Sequence, residues 1–142
     1  MNRRSLIRIG IASATAGIIA PKIVLASTAR QKISENDMSG GVYYTKESPG
    51  RWSKKAGSHS PILEKTDTGV RVITSHPMKQ GEHWIIKHVL LDKNFNFIAE
   101  NIFDPSKDKA AISNFNLTGQ PDTIYALSVC NLHDSWLTML KI

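Results

Sequence analysis

His83-Trp84-Ile85-Ile86-Lys87-His88-Val89-Leu90-Leu91 runs directly into Asp92-Lys93-Asn94 and then into Phe95-Asn96-Phe97-Ile98-Ala99-Glu100-Asn101-Ile102-Phe103. Two mostly apolar runs joined by three turn-forming residues read as a β-hairpin. The second run is closed by Asp104-Pro105-Ser106. Upstream, Gly69 to Thr74 alternates with β-branched side chains, the period of a half-buried strand. Downstream, Ala110 to Leu117, Thr123 to Cys130 and Trp136 to Lys141 are further short runs bounded by turn residues. No segment carries a helical period over three turns. Short strands at this regular spacing predict an all-β fold, an antiparallel β-sandwich over residues 59–142. Residues 30–58 are rich in Ser, Gly, Lys and Glu. They read as an irregular N-terminal arm with one short strand at Val42-Tyr43-Tyr44. There is no internal repeat and no low-complexity tract.

The chain of 142 residues has the length of one domain, and 41% hydrophobic residues supply a packed core. Lys and Arg number 18 against 12 Asp and Glu, a formal charge of +6. The position of that charge matters more than its size. Arg3, Arg4, Arg8 and Lys22 precede the first acid, Glu35, and flank the small, apolar run Ile9 to Ala20. That run is short for a bilayer span, which takes about 20 residues. A basic start, a short apolar middle and a small-residue end make an export signal over residues 1–29. Cleavage fits after Val24-Leu25-Ala26 or after Ser27-Thr28-Ala29. Asn2-Arg3-Arg4-Ser5-Leu6-Ile7-Arg8 resembles a twin-arginine signal, with Asn2 off pattern and Leu6 where Phe is commoner. An ordinary secretory signal or an uncleaved anchor are the alternatives. Twin-arginine export predicts a periplasmic or otherwise extracytoplasmic protein that meets the membrane only during export, with any cofactor inserted before passage.

Removing residues 1–29 removes four bases and no acids, which leaves 14 Lys and Arg against 12 Asp and Glu. The basicity belongs mostly to the signal. With no aromatic interleaving and no recognised module behind it, a nucleic-acid partner is not expected. The single cysteine, Cys130, excludes an internal disulfide framework, an all-cysteine metal site and a CxxC redox pair.

Four of the five histidines stand beside turn-like or strand-end residues, where a rigid scaffold exposes functional groups. They occur in His59-Ser60-Pro61-Ile62-Leu63-Glu64, His76-Pro77-Met78, Glu82-His83-Trp84-Ile85 and Cys130-Asn131-Leu132-His133. A Cys-x-x-His pair across a tight turn directs sulfur and imidazole to one metal. His88, five beyond His83, is expected on the opposite face as a half-exposed strand residue outside the site. Trp52, Trp84 and Trp136 are expected to fill the core or pack around the site.

These four segments, in this order, resemble the superoxide reductase family, the iron domain shared by neelaredoxin and desulfoferrodoxin. The resemblance covers about residues 50–140. It implies a seven-stranded immunoglobulin-like sandwich. It also implies one iron ion per chain, held by His59, His76, His83 and His133 and by the thiolate of Cys130. The implied reaction is one-electron reduction of superoxide to hydrogen peroxide, with an external electron-donor protein restoring Fe(II). Imidazoles suit iron with an accessible redox couple. A thiolate opposite an open position pushes electron density towards a bound oxygen species. Asn131 and the backbone amides near Leu132 and His133 are candidates for hydrogen bonds to the sulfur. With no further cysteine, the resemblance implies a one-iron form. The oligomeric state stays open, a homo-oligomer included.

Three departures from the family pattern stand out. His76 and His83 are separated by seven positions where six is common, with Gly81 as the apparent extra residue. The Glu-Lys pair that usually precedes the first histidine is Gly57-Ser58 here. Lys54 or Lys55 is the expected substitute for the missing cation. Asp134 replaces a common glycine and is expected to be a solvated turn residue or an Asx-type cap. The missing pair keeps a second reading open, an iron-binding redox or sensor protein with little turnover. A sulfur-carrier partner subunit is a third reading, against which the four matched histidines argue.

Overall fold

The computed structural model describes residues 38–119 and 121–142. The export signal expected over residues 1–29 lies outside them. Seven strands follow one another: β1 (Ile62–Lys65), β2 (Gly69–Thr74), β3 (Ile85–Asp92), β4 (Phe97–Ile102), β5 (Ala111–Asn116), β6 (Thr123–Cys130) and β7 (Ser135–Lys141). They form two antiparallel sheets, ordered β1-β2-β5 and β4-β3-β6-β7. This is the expected immunoglobulin-like sandwich. β1 is the strand that the sequence pattern does not show, being four residues long and mostly exposed.

The β3–β4 hairpin forms where its turn residues predict. Asp92 Oδ1 accepts the backbone N–H groups of Asn94 and Asn96 at 2.7 and 2.8 Å. Asn96 Nδ2 donates to Asp92 Oδ2 at 2.9 Å. Phe95 takes a left-handed conformation at φ 62°, its ring 4.5 Å from that of Tyr125. The aromatic contact offsets a backbone state that bulky residues seldom adopt.

Val70 and Val72 of β2, Leu90 of β3, Phe115 of β5, and Ile124 and Ala126 of β6 make one apolar cluster. Burial of each larger side chain contributes roughly 1.5–3 kcal/mol. Nearer the other end of the sandwich, Ile85, Phe103, Ala111 and Cys130 make a second cluster, with Met78 packed against it. Between the two lies a buried polar band: Thr74 of β2, His88 of β3, Ser113 of β5 and Ser128 of β6.

His88 is therefore no half-exposed surface residue; its exposure is 0%. A β-bulge explains the difference. Ile85 lies opposite Cys130 and Lys87 opposite Val129, so Ile86 is extra in the ladder. One inserted residue resets the strand alternation. Ile85 and His88, three apart, thus both face inward.

The N-terminal arm also departs from expectation. Tyr44, buried, makes a parallel bridge with Trp136 rather than a free-standing strand. Its N–H donates to Ser135 O at 2.9 Å, and its carbonyl accepts from Leu137 N at 2.8 Å. From Gly50 the chain is helical: a 3-10 helix over Gly50–Lys55 passes into α1, Ala56–His59. Gly, Ser and Lys give so short a segment no amphipathic signature. No helix among the described residues is long and apolar enough to cross a membrane.

Candidate metal centre

Five predicted donors meet at one end of the sandwich, each delivered by a different local device. His59 ends α1. His76 follows β2, its N–H bonded to Thr74 O at 2.8 Å. His83 closes a turn with Lys79, each residue's N–H donating to the other's carbonyl at 3.0 Å. Gly81 sits inside that turn at φ 75°, so the extra residue between His76 and His83 occupies a left-handed position suited to glycine. Cys130 ends β6. His133 lies on the β6–β7 turn, which Cys130 N closes by donating to Asp134 O at 2.9 Å.

The donor atoms crowd a single point. His83 Nε2 lies 3.0 Å from His76 Nε2, 2.9 Å from His133 Nδ1 and 3.1 Å from Cys130 Sγ. His59 Nε2 is 3.1 Å from His133 Nδ1. The ligand atoms of His59, His83, Cys130 and His133 all lie within 4.8 Å of one another. His76 joins them through its contact with His83.

Hydrogen bonding on the outer side fixes which nitrogens face inward. His76 Nδ1 lies 2.6 Å from Pro77 O, and His59 Nδ1 lies 3.1 Å from Lys55 O. A carbonyl only accepts, so each Nδ1 carries the proton. Each Nε2 is then left as a lone pair aimed into the cluster. His133 alone presents Nδ1 inward, as the short Cys-x-x-His turn dictates. One imidazole nitrogen cannot satisfy three close partners by ordinary hydrogen bonds. Converging lone pairs and a sulfur make a donor set that fits one cation of borderline softness.

Burial and the neighbouring imidazoles push His59 down to about 4. Burial does the same for His76, to about 4, with His83 and His133 adding to the effect. His83 and His133 are also lowered, first by burial. The four rings are thus neutral at pH 7, the state in which imidazole ligates a metal. Lys55 lies close enough to act electrostatically on His76, His83 and His133.

The residues at the departures have definite partners. Ser58 Oγ lies 2.8 Å from His59 Nδ1 and donates to Lys55 O at 3.3 Å, so it braces the first histidine. Asp134 is no merely solvated turn residue. Its Oδ2 accepts from Arg51 Nη2 at 2.6 Å and from Trp52 Nε1 at 2.8 Å. Trp52 in turn packs edge-on against the ring of His133, with centroids 4.7 Å apart. Arg51 and Trp52 lie more than 80 positions before Asp134, so nothing local in the sequence signals the contact. Leu132 N donates to Cys130 Sγ at 3.5 Å, as expected for an amide near the sulfur. Asn131 also contacts the sulfur, its Oδ1 accepting from Cys130 Sγ at 3.9 Å, and it joins two loops: its Oδ1 accepts Trp84 N and its Nδ2 donates to Glu82 O, both at 3.0 Å. Trp136 is fully buried, in keeping with a core role, and its Nε1 donates to His133 O at 2.8 Å.

A sandwich that gathers four imidazoles and one thiolate at one end defines a class, the single-metal His/Cys proteins of immunoglobulin-like fold. The Desulfoferrodoxin family matches residues 51–139, and the chain belongs to that family. Among solved structures, a superoxide reductase (neelaredoxin) from Ignicoccus hospitalis is 26% identical at a TM-score of 0.58. That match covers 72% of this chain and 94% of the other. The superoxide reductase from Treponema pallidum is 28% identical at a TM-score of 0.50, over 58% of this chain and 66% of that one. A one-iron superoxide reductase from Giardia intestinalis shares the fold at 19% identity and a TM-score of 0.52, over 60% of this chain and 98% of that one. No curated protein matches.

Proposed function

We propose that the chain is a one-iron superoxide reductase, with His59, His76, His83, His133 and Cys130 as the iron ligands. The observation that carries the reading is the inward convergence of four imidazole nitrogens and Cys130 Sγ. Iron bound there would supply the one-electron couple that reduces superoxide to hydrogen peroxide, with an external electron-donor protein restoring it. The protein's own contribution is orientation and charge. Lys55 O and Pro77 O hold the outer nitrogens of His59 and His76, which fixes ring tautomer and direction. The Leu132 amide withdraws charge from the sulfur. Trp52 covers one edge of His133. Lys55 supplies the positive field for an anionic substrate, in place of the family's lysine at Ser58.

The reading extends to place. The twin-arginine-like segment supports export of the folded chain, with a periplasmic or extracytoplasmic location. Fractionation of cells carrying Arg3→Lys with Arg4→Lys tests this; undiminished export would contradict the twin-arginine route.

Purified mature chain should contain one iron. Oxidation should turn it blue through sulfur-to-iron charge transfer, and a colourless, iron-free protein would contradict the assignment. A second reading, an iron-binding sensor with little turnover, is favoured by Gly57-Ser58 in place of Glu-Lys. Stopped-flow mixing of the reduced, iron-loaded chain with superoxide separates the two: fast appearance of the blue oxidised-iron band marks the reductase, and slow appearance marks the sensor.

A further inference from the structure

We propose that Thr74, His88 and Ser128 form a clamp between the sheets that sets the separation of His76 from Cys130. The inference rests on the reading of those two residues as metal ligands. Thr74, in the three-stranded sheet, donates its O–H to Ser128 Oγ in the four-stranded sheet at 2.8 Å. Each stands two residues before a ligand, Thr74 before His76 and Ser128 before Cys130.

The protons of the band run in one direction. The Thr74 hydroxyl proton goes to Ser128, so the contact of 2.9 Å between Thr74 Oγ1 and His88 Nε2 needs its proton from the imidazole. His88 Nδ1 is then the acceptor, taking the Ser113 hydroxyl proton at 2.8 Å. Ser113 Oγ accepts in turn from Asn101 Nδ2 at 3.1 Å. The chain crosses between the sheets four times, from Asn101 to Ser113, to His88, to Thr74 and to Ser128. Thr74, His88, Ser113 and Ser128 are all buried. The apolar clusters on either side of the band join the sheets through contact that is non-directional and tolerates sliding. Hydrogen bonds restrict both distance and angle, and breaking one in a dry interior leaves a costly orphan. Within this band of directional ties, the bond from Thr74 to Ser128 joins the two strands that lead directly into His76 and Cys130.

Cobalt(II) titration of the metal-free chain, followed through sulfur-to-cobalt absorption, tests the clamp. Thr74→Val keeps the shape and removes the hydroxyl. It should weaken cobalt affinity about tenfold, in the range typical of groups that orient metal ligands, and shift the absorption band. Thr74→Ser should restore both. Ser128→Ala, which spares the bond from His88 to Thr74, should move them the same way and serves if Thr74→Val does not fold. Val70→Ala, in the far apolar cluster, should lower the melting temperature yet leave affinity and band unchanged. Wild-type affinity and band in a folded Thr74→Val or Ser128→Ala would overturn the clamp. Equal losses in Val70→Ala at matched stability would do the same. A wild-type chain that binds no cobalt would overturn the metal assignment and the clamp with it.

Discussion

Trp52 and Asp134 are joined by an indole N–H to carboxylate bond of 2.8 Å, and the same carboxylate oxygen holds Arg51. The bond ties the helical segment that ends in His59 to the turn that carries His133. Arg51 holds the Asp134 carboxyl below the usual carboxylate range, so it is charged at neutral pH. Asp134→Ala should leave the sandwich folded while freeing Trp52. The expected result is red-shifted tryptophan fluorescence and iron release several-fold faster than wild type. Asp134→Asn, which tolerates the left-handed φ of 59°, should fall between the two. Unchanged release in the alanine variant would remove Asp134 from any role at the site.

Cys130→Ser tests the thiolate directly. The variant keeps a small side chain at a buried strand end. Its oxidised iron form should lack the sulfur-to-iron charge-transfer band. Its rate with superoxide should fall by more than the roughly 10- to 100-fold typical of groups one step removed from a metal. A retained band would mean that another group supplies the charge transfer.

Lys55 offers a test through ionic strength. Lys55→Ala should lower the superoxide rate several-fold at low salt and flatten its decline with added salt, because steering by a fixed charge is screened. Lys54→Ala, one position earlier, is the control and should behave as wild type. Identical salt profiles for all three proteins would rule out substrate steering from this segment.

The metal-free chain should lose stability on mild acidification. His59, His76 and His88 are each lowered from 6.5 to about 4, chiefly by burial. Between those values the unfolded chain binds protons that the folded chain refuses. Stability is therefore full above about pH 6.5 and declines as the pH falls towards about 4. The melting temperature of the metal-free protein across this range should trace that fall, and a flat profile would contradict the neutral, buried state of these rings. Iron-loaded protein should hold its stability to lower pH, since bound metal excludes the competing protons.

The sequence makes the sandwich readable wherever one face of a strand is buried and its alternation is unbroken. β2 and β6 have the predicted limits, and the β3–β4 turn uses the residues that predict it. The five donors are legible because each sits in a short motif beside a turn. What escapes is what depends on distant partners or on parity. Ile86 bulges out of the ladder and reverses the facing of His88, which no residue type announces. The helical turn before His59 is too short and too polar for a period. The tie between Asp134 and Trp52 spans |i−j| = 82, so only the assembled fold reveals it.

The order of the donors along the chain has a consequence for biosynthesis. His59 comes first and His133 last, with a separation of 74 positions. The final two, Cys130 and His133, sit at the end of β6 and on the turn into β7. A ribosome releases residues from the N-terminus onward, so a nascent chain lacking the β6–β7 hairpin holds at most three of the five donors. A complete set of five donors thus requires β6 and the turn after it, and a site holding all five would report that this last hairpin is in place.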